Sequence, residues 1–302
     1  MKIGIYIDNL HPEVGGSYTQ VSDTVKTLFK TNHNNSNHTF IAIFKFKNGY
    51  IDSEYDDSNI NVIYLYKNVI ISKIKIFYDA LIKAYRTLNF PGINRFYKHT
   101  SIENKLKKLE IDLIISLTAM VPCFEIPYII RVEDLEHFNS PSFPEVTQKG
   151  VWLSRQRHYL EVLARATKII VGTQIGKCEI MSFYGIPDDR LAILPWPVQF
   201  NKKTQVSSGI YLNHKLPNKY VLYPAQMWPH KNHVGLLNTI RNIKDNDGIN
   251  INVVFTGSDR GNLNYIKNIT KELGLVNQVS FLGFVSESEL IYLYSNASML
   301  IY

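Results

Sequence analysis

The chain has 302 residues, of which 45% are hydrophobic and 20% charged; this ordinary globular composition excludes wholesale disorder and a fibrous repeat. Its length suits about two domains of roughly 150 residues each. Lys plus Arg number 33 and Asp plus Glu 26, a net charge of +7, and Cys123 and Cys178 fit no metal-ligand or disulfide spacing, so both are expected as reduced thiols.

Residues 2–7 form an apolar run one strand long, too short for the apolar region of a secretory leader. Nowhere do about 18 uninterrupted apolar residues occur, so no membrane-crossing helix is expected. After the first run comes Val14-Gly15-Gly16-Ser17, and a helix is predicted over 18–30. Strand, glycine turn and helix in that order open a doubly wound α/β fold. Strands are predicted over 40–46 and 61–66.

Charge is concentrated in the next segment. Between Lys67 and Lys108 stand ten basic residues against Asp79 and Glu103, a balance of +8 that leaves the rest of the chain near neutral. Ile70, Ile71, Ile74, Phe77, Tyr78, Leu81, Ile82 and Tyr85 recur at helical spacing, which predicts an amphipathic helix with Lys73, Lys75, Lys83 and Arg86 off its apolar face. Such a face is either a solvated surface or one that meets anionic lipid head groups. With no zinc finger, helix-turn-helix signal or aromatic RNA-binding motif, no nucleic-acid partner is expected.

Further strands are predicted over 112–117 and 127–132. A proline-rich irregular loop over 138–147 follows, then a helix over 152–166 and a strand over 168–171. A helix over 177–184 is stopped by Gly185 and Pro187, and a strand follows over 191–194. Residues 200–218 are polar and aperiodic and read as a linker. The alternation then restarts, with strands over 220–223, 251–255, 279–282 and 298–302 and helices over 234–244, 263–273 and 287–294. The expected division is therefore 1–199 as one Rossmann-like domain, 200–218 as linker and 219–302 as a second, partial Rossmann-like domain, each with a parallel sheet.

Three segments carry candidate chemistry. Gly15 and Gly16 sit in a strand-to-helix turn, where a backbone without Cβ atoms lets a ligand come close to the helix N-terminus; plain turn chemistry explains the pair equally. In the run from Tyr223 to His233 two prolines stiffen a loop after a strand, and Lys231 stands where a helix begins, a place suited to a phosphate. Glu133-Asp134-Leu135-Glu136-His137 also follows a strand; its acids and imidazole suit acid/base work or hydrogen bonding to a polyol, or else form a local salt-bridge loop. No second His or Cys stands at ligand spacing, so no metal is expected. The dinucleotide fingerprint, the Walker loop, the Gly-x-Ser-x-Gly elbow and His-Glu-x-x-His are all missing, which argues against nicotinamide, P-loop, α/β-hydrolase and zinc-protease chemistry.

Together these segments resemble the retaining, nucleotide-sugar-dependent glycosyltransferases of family 4, which have the GT-B fold of two facing Rossmann-like domains. Val14-Gly15-Gly16 is similar to the family's N-terminal glycine loop. Glu133 to His137, followed by Phe143-Pro144-Glu145-Val146, is similar to a branch with Asp-Leu-Gln-His and Phe-Pro-Glu-Val. The segment from Tyr223 to His233 is the most specific piece, and Phe255-Thr256-Gly257 and Phe281 to Val285 continue the likeness. The resemblance implies catalytic roles for Glu133, Asp134 and His137, and donor binding by Gly15, Gly16, Gln226, His230, Lys231 and Gly257. It implies a nucleotide-sugar donor, a saccharide or lipid-linked acceptor, no cofactor and no required metal. The expected place is the cytoplasm, with the basic segment 67–108 the candidate for peripheral contact with the inner membrane if its face is not simply solvated.

The sequence departs from the family in three ways. Glu133-Asp134 stands where many members have His-Asp, which leaves His137 as the candidate imidazole. Gln226 stands where many have Arg, which leaves Lys231 as the main cation of its loop. The family's pair of glutamates separated by seven residues is expected just beyond residue 302, so the second domain reads as truncated, with 298–302 an exposed edge strand. The sequence therefore implies either a hexosyltransferase of cell-surface polysaccharide assembly or a catalytically inactive remnant or half-enzyme.

Overall fold

The structure is a computed structural model and describes residues 1–8, 11–30, 37–46, 61–66, 101–196 and 216–302. The amphipathic helix predicted around 70–85 and most of the predicted linker lie outside these residues. The chain divides into two compact units. The first comprises Met1–Pro12, Ser17–Asn139 and Trp152–Val198; the second comprises Glu13–Gly16, Ser140–Val151 and Gln199–Tyr302.

The first unit holds a sheet of seven strands: β1 (Lys2–Ile7), β2 (Thr39–Phe46), β3 (Asn61–Tyr66), β4 (Leu113–Ser116), β5 (Tyr128–Val132), β6 (Lys168–Val171) and β7 (Leu191–Ile193). Their order is β3-β2-β1-β4-β5-β6-β7, and every pairing is parallel. The strands are near-continuous apolar runs because both faces are covered. Tyr6, Ile41, Ile43, Ile114 and Ile130 belong to one core cluster, with Leu106, Val162 and Ile180. The alternate residues Ile5, Ile7, Ala42 and Phe44 belong to another, packed with Val21 and Val25 of helix α1 (Gly16–Lys30). Strand order reverses between β1 and β4, so the loops leaving the carboxyl ends there border the crevice where doubly wound sheets take ligands.

Helix α2 (Ser101–Lys108) is the described end of the basic segment. It is tied down rather than free: Leu106 is fully buried, Lys105 donates to the carbonyls of Tyr64 and Leu65, and Lys107 pairs with Glu125. Helices α3 (Val151–Arg165) and α4 (Gln174–Tyr184) precede β6 and β7. The start of α4 lies three residues before the predicted one because Thr173 caps it, its Oγ1 accepting from the Gly176 N–H at 3.1 Å. The loop expected to be irregular over 138–147 contains a helical turn at Pro144–Thr147, begun by Pro144, and follows another at Glu136–Asn139.

The second unit holds a four-stranded parallel sheet of β8 (Val221–Pro224), β9 (Val253–Thr256), β10 (Val279–Phe281) and β11 (Met299–Leu300), in the order β10-β9-β8-β11. Helices α5 (His233–Asp247), α6 (Leu263–Glu272) and α7 (Glu287–Asn296) connect them. Val253 and Phe255 face Leu237, Ile240 and Ile266, while Leu222 and Val254 face Tyr220 and Leu293. Order reverses here between β8 and β11, which puts the β8 loop at this sheet's switch point. At the edge, Met299 and Leu300 of β11 are exposed. Among the described residues no helix is long and apolar enough to cross a membrane.

Candidate active site

Each unit gathers its candidate residues at the carboxyl end of its own sheet. In the first unit, Glu133 and Asp134 leave β5 and both are exposed. Ser17, in the first turn of α1, donates through Oγ to Glu133 Oε2 at 2.7 Å, which joins the loop after β5 to the beginning of the helix that follows β1. Asp134 is differently placed. Its Oδ1 accepts from Arg155 Nη2 at 2.6 Å and from the Glu136 N–H at 3.0 Å, so it starts the short turn at Glu136–Asn139 and its charge is met by a cation. Glu133, by contrast, is matched to no cation in an ion pair among the described residues.

Behind Glu133 lies Arg131, a buried residue of β5. Its guanidinium stacks on Trp196, donates to the Leu194 carbonyl at 3.1 Å and leaves Nε without a partner. Burial pushes this arginine down to about 10, while Glu133 acts in the opposite sense to hold the proton. The electrostatic pairing of Arg131 with Glu133 is one that the sequence pattern did not single out.

His137 does not occupy a position for proton transfer with a substrate. It is fully buried in an aromatic cage of Phe138, Trp152 and Tyr159, and its Nε2 lies 3.2 Å from the Tyr184 hydroxyl. Desolvation, aided by Arg155, pushes its pKa down, so the ring is neutral and serves packing. Its backbone carbonyl accepts from Trp152 Nε1 at 2.7 Å. Sequence spacing put an imidazole near two acids; the helical turn that begins at Glu136 rotates it inward.

In the second unit the β8 loop is braced from several sides. Trp228 caps a single 3₁₀ turn at Pro229–Lys231, and Tyr223 donates from its hydroxyl to the Lys231 carbonyl at 2.6 Å. Asn232 takes the left-handed conformation, φ 52°, and its Oδ1 accepts from the Gly235 N–H at 3.0 Å to start α5. Lys231 itself is exposed and enters no ion pair among the described residues. His233, two residues on, is buried against Tyr223 and Phe255.

Gly257 holds the neighbouring loop against this one. With φ at 141°, a Cβ there would lie 2.5 Å from the Ala225 carbonyl oxygen and 2.8 Å from Gln226 Cα. The Met227 N–H donates to the Ser258 carbonyl at 3.1 Å, and the Gly257 N–H to the Gly283 carbonyl at 2.7 Å, so the loops after β8, β9 and β10 are knit together. Gln226 is engaged in the same framework: Nε2 donates to the Glu13 carbonyl at 2.6 Å and Oε1 accepts from Trp228 Nε1 at 2.9 Å. Arg260 Nη2 and Ser258 Oγ reach that same carbonyl. Gln226 is thus a brace of the loop, with one amide N–H to spare. Gly15 takes φ 82° with Gln226 against it, while a Cβ at Gly16 would meet nothing within 4 Å, leaving open space above the start of α1.

His230 has a partner that the sequence did not link to it. Glu145, from the Pro144–Thr147 turn, accepts from the His230 backbone N–H at 3.2 Å and from its ring Nδ1. Phe143 packs edge-on to the same ring. Among the described residues no group of three His, Cys, Asp or Glu side chains is arranged to hold a metal ion. A cavity of about 520 Å³ in this unit, lined by Lys267, Lys271 and Phe281 among others, shares no residue with the β8 loop.

Residues 211–302 match the family described as Glycosyl transferases group 1. A comparison with curated protein sequences finds no match. Among solved structures the chain is similar to Alr3699/HepE of Anabaena in complex with UDP-glucose, at 16% identity and a TM-score of 0.63, over 99% of this chain and 73% of that one. It is also similar to WaaG, a glycosyltransferase involved in lipopolysaccharide biosynthesis, at 16% identity and a TM-score of 0.58, over 99% and 74%. A third is the UDP-GlcNAc 2-epimerase of Methanocaldococcus jannaschii, at 14% identity and a TM-score of 0.54, over 99% and 78%. At these identities the likeness is one of fold, and the fold is GT-B: α/β, with a seven-stranded parallel sheet and a second, smaller one.

Proposed function

We propose that the chain acts as a nucleotide-sugar-dependent glycosyltransferase, moving a hexose with retention of configuration to a saccharide or lipid-linked acceptor in cell-surface polysaccharide assembly. The observation that carries this reading is the β8 loop: an exposed, unpaired Lys231 on a braced turn, at a switch point and inside the region that matches the group 1 family. When the bond between sugar and diphosphate breaks, negative charge grows on the departing phosphate oxygen. An ammonium held beside that oxygen stabilises the transition state more than the ground state, which is what accelerates the step. Gly16 leaves room for the phosphate, and Glu133 supplies the carboxylate that hydrogen-bonds the acceptor hydroxyl. Asp134 acts indirectly, by shaping the loop that carries Glu133. The chemistry needs no metal, because the protein's own cation faces the leaving group.

UDP is the first ligand to try, since Alr3699/HepE holds UDP-glucose. Calorimetric titration is expected to detect UDP binding, and Lys231→Ala to weaken it about tenfold, the loss of one charge-assisted contact. Absence of UDP binding, or a Lys231→Ala variant that binds as well as the parent, would refute the assignment of this loop. Because an epimerase shares the fold, NMR of the products must follow: transfer with an unchanged anomeric centre supports the reading, and an epimerised donor overturns it. Binding without transfer would favour the inactive alternative.

A further inference from the structure

The Glu145–His230 pair has no part in the roles proposed for Lys231, Gly16 and Glu133, and its geometry is specific. The Glu145 side chain is only 8% exposed, against 30% for His230. A carboxylate this buried is costly unless its oxygens are satisfied. Here Oε1 receives both the backbone N–H and the ring Nδ1 of His230, while Oε2 is buried without a partner among the described residues. Desolvation pushes the Glu145 pKa up, but hydrogen bonds from its own backbone N–H and from His230 hold it below the ordinary carboxylate range. The carboxylate is thus anionic and, as an acceptor, requires the proton on Nδ1. The ring is thereby fixed in one tautomer and one orientation, pinned on its edge by Phe143, and Nε2 is the nitrogen left for a ligand.

We propose that Glu145 is a positioning residue for His230, fixing its imidazole so that Nε2 meets an anionic ligand, a nucleoside diphosphate, beside Lys231 on the β8 loop. This rests on the function proposed above and adds a second contact from the loop, set by a residue 85 positions earlier in the chain. When Nε2 donates to a phosphate oxygen the ring carries a proton on each nitrogen, and the Glu145 carboxylate is the acceptor for the one on Nδ1.

A double-mutant cycle on the full chain tests it, with UDP as the probe. His230→Ala and Glu145→Ala are each expected to weaken UDP binding about tenfold, and the double variant to bind no worse than His230→Ala alone, because Glu145 acts through the ring. Glu145→Gln, which keeps an acceptor for Nδ1–H, is expected to recover part of the loss. Nitrogen NMR of the labelled protein should find the proton on Nδ1 of His230 in the parent and lose that preference in Glu145→Ala. If the two losses add, or if Glu145→Ala leaves UDP binding unchanged, the positioning role is wrong while the Lys231 assignment stands. If His230→Ala has no effect although Lys231→Ala does, His230 is not a ligand contact and the proposal falls alone. If the parent does not bind UDP, both fall together.

Discussion

Two histidines of the second unit, three residues apart, divide into opposite roles because of what surrounds each ring. His230 is held by a carboxylate and keeps one nitrogen outward. His233 sits between Tyr223 and Phe255 with both ring nitrogens buried; the Ala225 backbone offers an electrostatic contact but no well-formed bond. Burial, with Lys231 acting in the same sense, pushes its pKa down to about 4 from 6.5. In the unfolded chain the ring takes up a proton below pH 6.5, whereas in the folded chain it stays neutral until about pH 4. Its stabilising contribution is therefore complete above pH 6.5, declines as pH falls from there, and is lost below about pH 4; the full swing is roughly 3 kcal/mol. Denaturant titrations at pH 7.5 and pH 5 on the parent and on His233→Phe should show the parent losing more stability than the variant. Phenylalanine fits an aromatic niche and carries no proton to lose. Equal losses would mean that the buried imidazole is not a source of acid sensitivity. Both histidines stand in the one run from Tyr223 to His233, and the sequence carries no information on which ring a neighbouring loop will cover.

At the scale of elements, apolar runs with glycine or proline stops mark each strand described here to within one or two residues, because the central strands bury both faces and so leave an uninterrupted apolar signature. Ends were less legible where a side chain, not a hydrophobic period, decides them: Thr173 begins α4, and Asn232 begins α5 at His233. The proline-rich run 138–147 carries no helical period, so the turn at Pro144–Thr147 and the link between Glu145 and His230, a contact between segments far apart in sequence, are not legible in it. Gly257 is a case where the residue was visible but its reason was not. Its backbone lies against that of Ala225 and Gln226, which cannot swing aside as a side chain would. Gly257→Ala is expected to cost roughly 2–3 kcal/mol and to weaken UDP binding by displacing the β8 loop. Gly261, with φ 87° and open space around it, is the control: Gly261→Ala meets the strain of a positive φ alone and should cost about 1 kcal/mol. Equal costs for the two in chemical denaturation would mean that loop-on-loop contact at Gly257 does not shape the site.

For the whole molecule, two features of the sequence point in different directions. Two successive α/β alternations foretold two parallel sheets, and each sheet has its own core and its own switch point, with candidate residues at both. Net charge foretold something the fold does not explain. Of the +7, a balance of +8 lies between 67 and 108, and in the described end of that segment Lys105 and Lys107 are already bound to the β3 carbonyls and to Glu125. Seven of the ten basic residues precede α2 in the sequence, and theirs is the charge that an anionic surface would attract. An acceptor carried on a lipid would bring the protein to an anionic membrane surface, where each lysine or arginine contributes about 1 kcal/mol and the attraction fades over a Debye length of about 8 Å at physiological salt. Sedimentation with vesicles should accordingly show binding that rises with the fraction of anionic lipid and falls away as salt is raised. Replacing Lys67, Lys73, Lys75 and Lys83 by glutamine should remove most of that binding and leave UDP affinity unchanged, since none of the four belongs to the second unit. Sedimentation indifferent to salt and lipid charge would mean that the basic segment is an ordinary solvated surface.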